Sequence, residues 1–272
     1  KTMAEAEYLI SSLLILRGFP GQAWVLSQKS IERYKNLNDD LGIARAGAVY
    51  AITLYHQGHY EEALKQCLYN AKVFQDTQNW RQMSSSLVYA ARCEMSLGHP
   101  DESWEYLHQA LDISKNHRLL DTYSLAMCFK GDFYRYLRQP AVAVECYREG
   151  LLSKELFYPF ADYQARYGLA LIEAGDSHAG LQQIKVAAEH ARKVGLGQVF
   201  FPAELNLAGY YAASGEIAYA RMYGYKLMDE FKGRGFLKYQ IIANEILGWA
   251  AFFDGNYDEA RRFSKIIIAE SG

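Results

Sequence analysis

The chain is expected to be all-α: a right-handed superhelical solenoid of seven helix-turn-helix repeats, about fourteen helices in all. Three observations predict this. A turn glycine returns at a nearly constant interval, and columns of small residues keep fixed distances from it. Segments such as "GIARAGAVYAITLYHQ" and "YQIIANEILGWAAFF" carry apolar residues at three- and four-residue spacing with no internal Pro, the signature of amphipathic helices. Half of the 272 residues are hydrophobic, enough for a substantial core.

The glycine series is Gly18, Gly58, Gly98, then Arg138 in the next slot, then Gly175, Gly215 and Gly255. Its intervals are 40, 40, 40, 37, 40 and 40 residues. Seven residues before each anchor stand Ser11, Ala51, Ala91, Gly131, Gly168, Ala208 and Gly248; five after stand Ala23, Ala63, Ser103, Ala143, Gly180, Ala220 and Ala260. A third column, twelve after, is small in five copies and ends in Leu227 and Ile267. Small side chains on both helices of a hairpin let the pair approach closely, where larger ones would overpack the contact.

The repeats follow in order. The first, roughly 4-38, runs through "YLISSLLILRGF" to Gly18, returns from Pro20 and breaks at "NLNDD". The second, 39-78, turns at Gly58, reopens with Tyr60 and the acidic pair Glu61-Glu62, and ends at "QDTQN". The third, 79-118, turns at Gly98 before Pro100 and Asp101-Glu102 and ends at "SKNHR". The fourth, 119-158, turns at Arg138 before Pro140, and Pro159 in "LFYPFADY" ends its second helix early. The fifth, 159-197, and sixth, 198-235, turn at Gly175 and Gly215 and close at "KVGLG" and "KGRG". The seventh, 236-272, turns at Gly255 before Tyr257 and Asp258-Glu259. Glycine supplies the left-handed residue that ends a helix, Pro suits the first turn of the next, and carboxylates there complement the helix dipole.

These columns resemble the tetratricopeptide repeat, with its small residue, turn Gly, and Ala five and twelve later. That pattern normally spans 34 residues; here the extra six must lengthen the second helices or the links between repeats. The roughly 40-residue variety resembles the C-terminal sensor regions of bacterial signal-transducing ATPases and large ATP-binding transcription activators. It also resembles peptide-pheromone-responsive regulators and kinesin light chain. The resemblance covers essentially the whole chain and implies a binding groove on the concave face.

Charge and motifs exclude several classes. A net charge of -2 offers no basic footprint for nucleic acid. No run of about 18 apolar residues is present, so no membrane span is expected. "MAEAE" before the first apolar stretch argues against a signal peptide. Cys67, Cys93, Cys128 and Cys146 lack CxxC spacing and suit buried thiols in the reducing cytoplasm. No nucleophile elbow, P-loop, HExxH or EF-hand loop occurs, so no enzyme, cofactor or metal is expected. His56 and His59 lack the spacing of a helix-face zinc pair and read as surface histidines, Glu173 and Asp176 as solvated turn charges, and "GLGQ" and "GRG" as helix C-caps. A chain beginning with Lys, and an apolar stripe in "SKIIIAESG" without a polar cap, suggest a piece of a longer protein or an end that meets a partner.

The resemblance places groove positions ten, six, three and two residues before each anchor. They include Tyr55, His56, Arg92, Asp132, Arg135, Tyr136, Trp249 and Phe252, with Arg45 one turn further out. The arginines suit a carboxylate or phosphate, while Arg92 and Asp132 alternatively pair with each other across the groove. The Lys and Asn set that chaperone-binding members use is absent. Trp249 and Phe252 serve either as apolar anchors or as the packing face of a terminal repeat. The expected function is a non-catalytic scaffold or sensor for a protein or peptide in signal transduction or transcription control, or alternatively a receptor for a small-molecule effector that gates an attached ATPase or DNA-binding domain.

Overall fold

The computed structural model describes residues 1–152, 160–195, 197–231, 234 and 236–271. Among these residues every element is helical and no strand occurs. The helices are α1 (Thr2–Arg17), α2 (Pro20–Lys35), α3 (Asp40–His56), α4 (Tyr60–Asp76), α5 (Trp80–Leu97), α6 (Pro100–Asn116) and α7 (Leu120–Tyr136). They continue with α8 (Pro140–Leu151), α9 (Phe160–Glu173), α10 (Ser177–Val194), α11 (Gly197–Ala213), α12 (Ile217–Phe231), α13 (Leu237–Phe253) and α14 (Tyr257–Ser271).

Each corner between paired helices falls on its predicted anchor. At Gly58 (φ 85°) the N–H reaches the Tyr55 carbonyl at 3.2 Å while the next N–H, of His59, reaches Leu54 at 3.0 Å. This is the doubled bond that satisfies the last carbonyls of a helix. Arg138 makes the same corner at φ 58°, with Gln139 N–H to the Tyr134 carbonyl at 2.8 Å. A left-handed non-glycine costs about 1–2 kcal/mol, which the surrounding hairpin sustains. Pro159, the predicted end of the following helix, lies outside the described residues.

The links between hairpins use the same corner. Asn38, Gln78 and Arg118 take φ values of 51°, 56° and 53°, and the N–H of the following residue returns to Tyr34, Phe74 and Ser114. Returning helices α4 and α6 are therefore 17 residues long, the same as α3 and α7. The extra residues over a 34-residue repeat are therefore taken up in helix rather than in a loop.

The small columns form the contact within each hairpin. Ala23, Ala63, Ala91, Ser103, Ala143, Ala208 and Ala220 are buried almost completely. In the fifth hairpin Gly168 faces Gly180 so closely that a Cβ on Gly168 would stand 2.5 Å from the Gly180 carbonyl oxygen. Serines in these columns keep their hydroxyls bonded across the contact: Ser103 Oγ donates to the Ala91 carbonyl at 2.8 Å, and Ser30 Oγ to that of Ala4 at 2.8 Å.

First helices also touch the first helices of the next hairpin, so they line the inside of the curve. The curve closes on itself: α1 meets α11, and α3 meets α13. The Gly21 N–H donates to the Arg234 carbonyl at 3.2 Å, and the Arg234 guanidinium lies 4.7 Å from the centre of the Phe19 ring. Lys238 Nζ donates to the Tyr55 hydroxyl at 2.7 Å, across 183 residues of chain. The first two hairpins thus clasp the last two around a lumen.

Overpacking the hairpin contact has a measurable cost. Ala63→Leu is expected to lower stability by about 1–3 kcal/mol. By contrast, Glu62→Leu on the neighbouring exposed position should change it by under about 0.5 kcal/mol. Urea unfolding of the two variants provides the comparison.

Candidate functional site

The lumen holds two cavities. One, of about 430 Å³, is lined by Tyr55, Arg92, Asp132, Arg135, Arg166 and Glu173 among others. The second, of about 650 Å³, is mostly apolar and includes Leu169, Leu205, Ile246, Trp249 and Phe253. Glu173 belongs to both walls. Helix α9 supplies Arg166 and Glu173, and the groove faces of α5 and α7 supply the other arginines and Asp132.

The interior charges are paired in an order that spacing did not predict. Asp132 does not meet Arg92: its Oδ2 takes Arg166 at 3.1 Å and its Oδ1 accepts from the Tyr147 hydroxyl at 2.5 Å. Arg166 also bonds both oxygens of Asp162, four residues earlier on α9, at 3.1 Å. Arg135 grips Glu173 with two N–H groups, at 2.9 and 2.6 Å. Glu173 is exposed at the end of α9, as expected of a turn charge, and adds the ion pair with Arg135, while Asp176 caps α10 through the Ala179 N–H at 3.0 Å. Arg92 is held instead by two aromatic faces, Tyr55 at 5.2 Å and Tyr89 at 5.4 Å. No carboxylate within ion-pair distance of Arg92 occurs among the described residues.

The clasp sets the electrostatics of the first cavity. Burial alone would push the Tyr55 phenol up, but Lys238 and Arg92 beside it outweigh that and bring it down to about 7. His56 is not a surface residue as expected; it is 5% exposed and lies edge-on to Phe236 and Tyr239, with ring centres 5.9 and 5.5 Å away. Burial, reinforced by Arg92 and Lys238, lowers its pKa to about 3. The helical period carries it there: one residue past Tyr55, it turns to the neighbouring hairpin and the facing end of α13.

Of the sequence-predicted residues, Tyr55, Arg92, Asp132, Arg135 and Tyr136 line the first cavity, and Trp249 lines the second. Arg45 does not join them: it pairs with Glu5 at 3.1 Å and covers the Tyr8 ring, bracing the first two hairpins. Phe252 packs edge-on against Trp249 and Tyr257 outside the apolar cavity. Arg166, Lys238 and the tyrosines 89, 147 and 163 were not predicted. Three lumen residues, Tyr89, Phe129 and Arg166, share one column, nine residues before the anchor. That column was the signal available for them.

No family model matches the chain, and no curated protein matches it in sequence. Solved structures do match in shape. The Rap conjugation gene regulator of the plasmid pLS20, solved with a Phr peptide, superposes with a TM-score of 0.71 at 12% identity, over 99% of this chain and 74% of that one. NprR in complex with its cognate peptide NprX gives 0.70 at 12% identity, over 99% and 78%. A signal transduction ATPase with numerous domains from Pyrococcus horikoshii, which has a tetratricopeptide repeat sensor, gives 0.60 at 16% identity, over 97% and 41%. The fold is a tetratricopeptide-like solenoid, of the kind the residue columns resemble.

Two titrations test the clasp. Below about 6.5 the unfolded chain's histidine takes a proton that folded His56 refuses until about 3, so stability falls as pH drops through that window. The expected slope from this one group is at most about 1.4 kcal/mol per pH unit, and His56→Phe should remove it, as followed by denaturation between pH 4 and 7. Lys238→Met should raise the Tyr55 pKa, so the phenolate absorbance that wild type develops near neutral pH should move to higher pH.

Proposed function

We propose that this chain is a non-catalytic recognition module, the sensor or scaffold part of a larger cytoplasmic regulatory protein in signal transduction or transcription control, and that it holds a protein segment or peptide in its lumen. All seven repeats, bounded as in the sequence reading, act as one solenoid unit. The observation that carries this is the first cavity, where an inward-facing guanidinium, Arg92, is held by aromatic rings and, among the described residues, by no carboxylate. Anchors of that kind, Arg and aromatics in a desolvated pocket, concentrate binding energy in few residues. The shape match to two regulators solved with peptides, and to a protein with a repeat sensor, supports the same reading. Cytoplasmic placement is supported by four buried free thiols, and no helix among the described residues is long and apolar enough to cross a membrane.

A second reading is favoured by the clasp. Tyr55 is at once a wall of the cavity and the partner of Lys238 at the ring closure, so an occupant of the cavity bears on the contact that joins the two ends. A small-molecule effector filling the lumen would then open or tighten the ring and gate an attached ATPase or DNA-binding domain. Thermal-shift screening against metabolites separates the readings: one stabilising compound favours the receptor, whereas a flat screen with successful peptide capture favours the recognition module.

Lumen binding itself is tested by a plug. Gly209 lines the apolar cavity, and a Cβ there would meet nothing nearer than Ile246 at 3.9 Å. Gly209→Phe should fill the cavity and abolish ligand capture while leaving the helical circular dichroism intact. Undiminished capture by this variant would place the ligand on the convex face.

A further inference from the structure

We infer that the lumen is a two-part receptor for a short peptide with a free C-terminal carboxylate, Arg92 taking the carboxylate and the apolar cavity taking a bulky side chain. This rests on the peptide reading above and specifies its ligand.

The charge inventory of the first cavity motivates the carboxylate. Arg166 is flanked by Asp132 and Asp162, and Arg135 is closed by Glu173, so both are neutralised within the chain. Arg92 lies over the Tyr55 and Tyr89 rings, which attract a cation, and the Tyr55 oxygen is bonded by Lys238. Its planar N–H groups are left for an acceptor that arrives from outside, and a carboxylate matches a guanidinium with two parallel bonds. Close by, the hydroxyl of Tyr163, a residue with no exposed surface, has no hydrogen-bond partner among the described residues. Of the two, Arg92 lines the cavity and is the group an anionic terminus there would meet. The Lys238 ammonium is already committed to Tyr55 and Arg138 lies exposed on the rim, so Arg92 is the inward cation proposed to meet it.

The second cavity motivates the rest of the molecule. Leu169, Ile172, Leu205, Ile246 and Trp249 make its wall apolar, and its volume of about 650 Å³ admits a large side chain. Glu173 faces both cavities, so a single ligand passes from one to the other along this carboxylate. Held by Arg135, Glu173 is an acceptor for a backbone N–H of the ligand at the junction. Ser96 in the first cavity adds a hydroxyl.

The test uses the full chain, immobilised, with pools of synthetic pentapeptides made as free acids and as C-terminal amides. In each pool one position is fixed as Phe, Leu, Trp, Gly or Asp. Free-acid pools carrying Phe, Leu or Trp are expected to be retained, and the matching amides to bind about 10- to 100-fold more weakly. Arg92→Gln should erase the difference between acid and amide yet keep the preference for apolar residues. Trp249→Ala should weaken the apolar preference and keep the acid over amide ratio. Should Arg92→Gln lose its helical signal, Arg92→Lys, which retains the charge, is expected to restore part of the ratio, and the wild-type ratio stands on its own. Equal binding of acids and amides by wild type overturns the inference while leaving peptide recognition in place. Amide pools retained only when they contain Asp overturn the C-terminal assignment in favour of a side-chain carboxylate. Failure of every pool overturns the peptide reading itself.

Discussion

The close contact between the two helices of each hairpin sets the geometry on which everything else depends. Where Gly168 meets Gly180, backbone touches backbone, and elsewhere alanines and serines keep the separation nearly as small. Helices packed this closely have little freedom in crossing angle, because ridges of small residues admit few alternative seats. A fixed crossing angle, repeated along the chain, accumulates into a fixed curvature. That curvature brings α3 to α13 and α1 to α11, and only then does a lumen exist.

Closure changes the chemistry of residues that would otherwise sit in an open groove. Tyr55 and His56 project from the end of α3, where an open solenoid would leave them wet. The approach of α13 buries them, and the Lys238 ammonium then acts on both in a medium of low polarity. The result is a phenol drawn down to about 7 and an imidazole drawn down to about 3 within one helical turn. Ion pairs such as Asp132–Arg166 and Arg135–Glu173 also join neighbouring first helices, so the lining of the lumen and the stacking of the hairpins are one network.

The irregular fourth hairpin is accommodated locally. Arg138 adopts the left-handed corner without glycine, and its corner bonds match those at Gly98 and Gly175. It also places its side chain on the rim of the first cavity, beside Tyr136 and Arg135. The corner that departs from the repeat pattern is thus the one that borders the site.

Periodicity alone determined the helices, their pairing and the corners, because these rest on local chemistry. A left-handed turn needs glycine or a tolerant polar residue, and a close helix pair needs small side chains at matched positions. The resemblance to tetratricopeptide repeats, counted from the same anchors, implied Arg92, Asp132, Arg135 and Trp249 for the inner face. It did not decide their partners. Asp132 was within one repeat of Arg92 by spacing, yet the packing of α7 on α9 brings Arg166 to it instead. Nor was Lys238 legible, since its partner Tyr55 lies 183 residues away and meets it only when the superhelix closes. Such contacts depend on the sum of many small rotations between hairpins, a quantity that no single residue carries and that only the folded solenoid expresses.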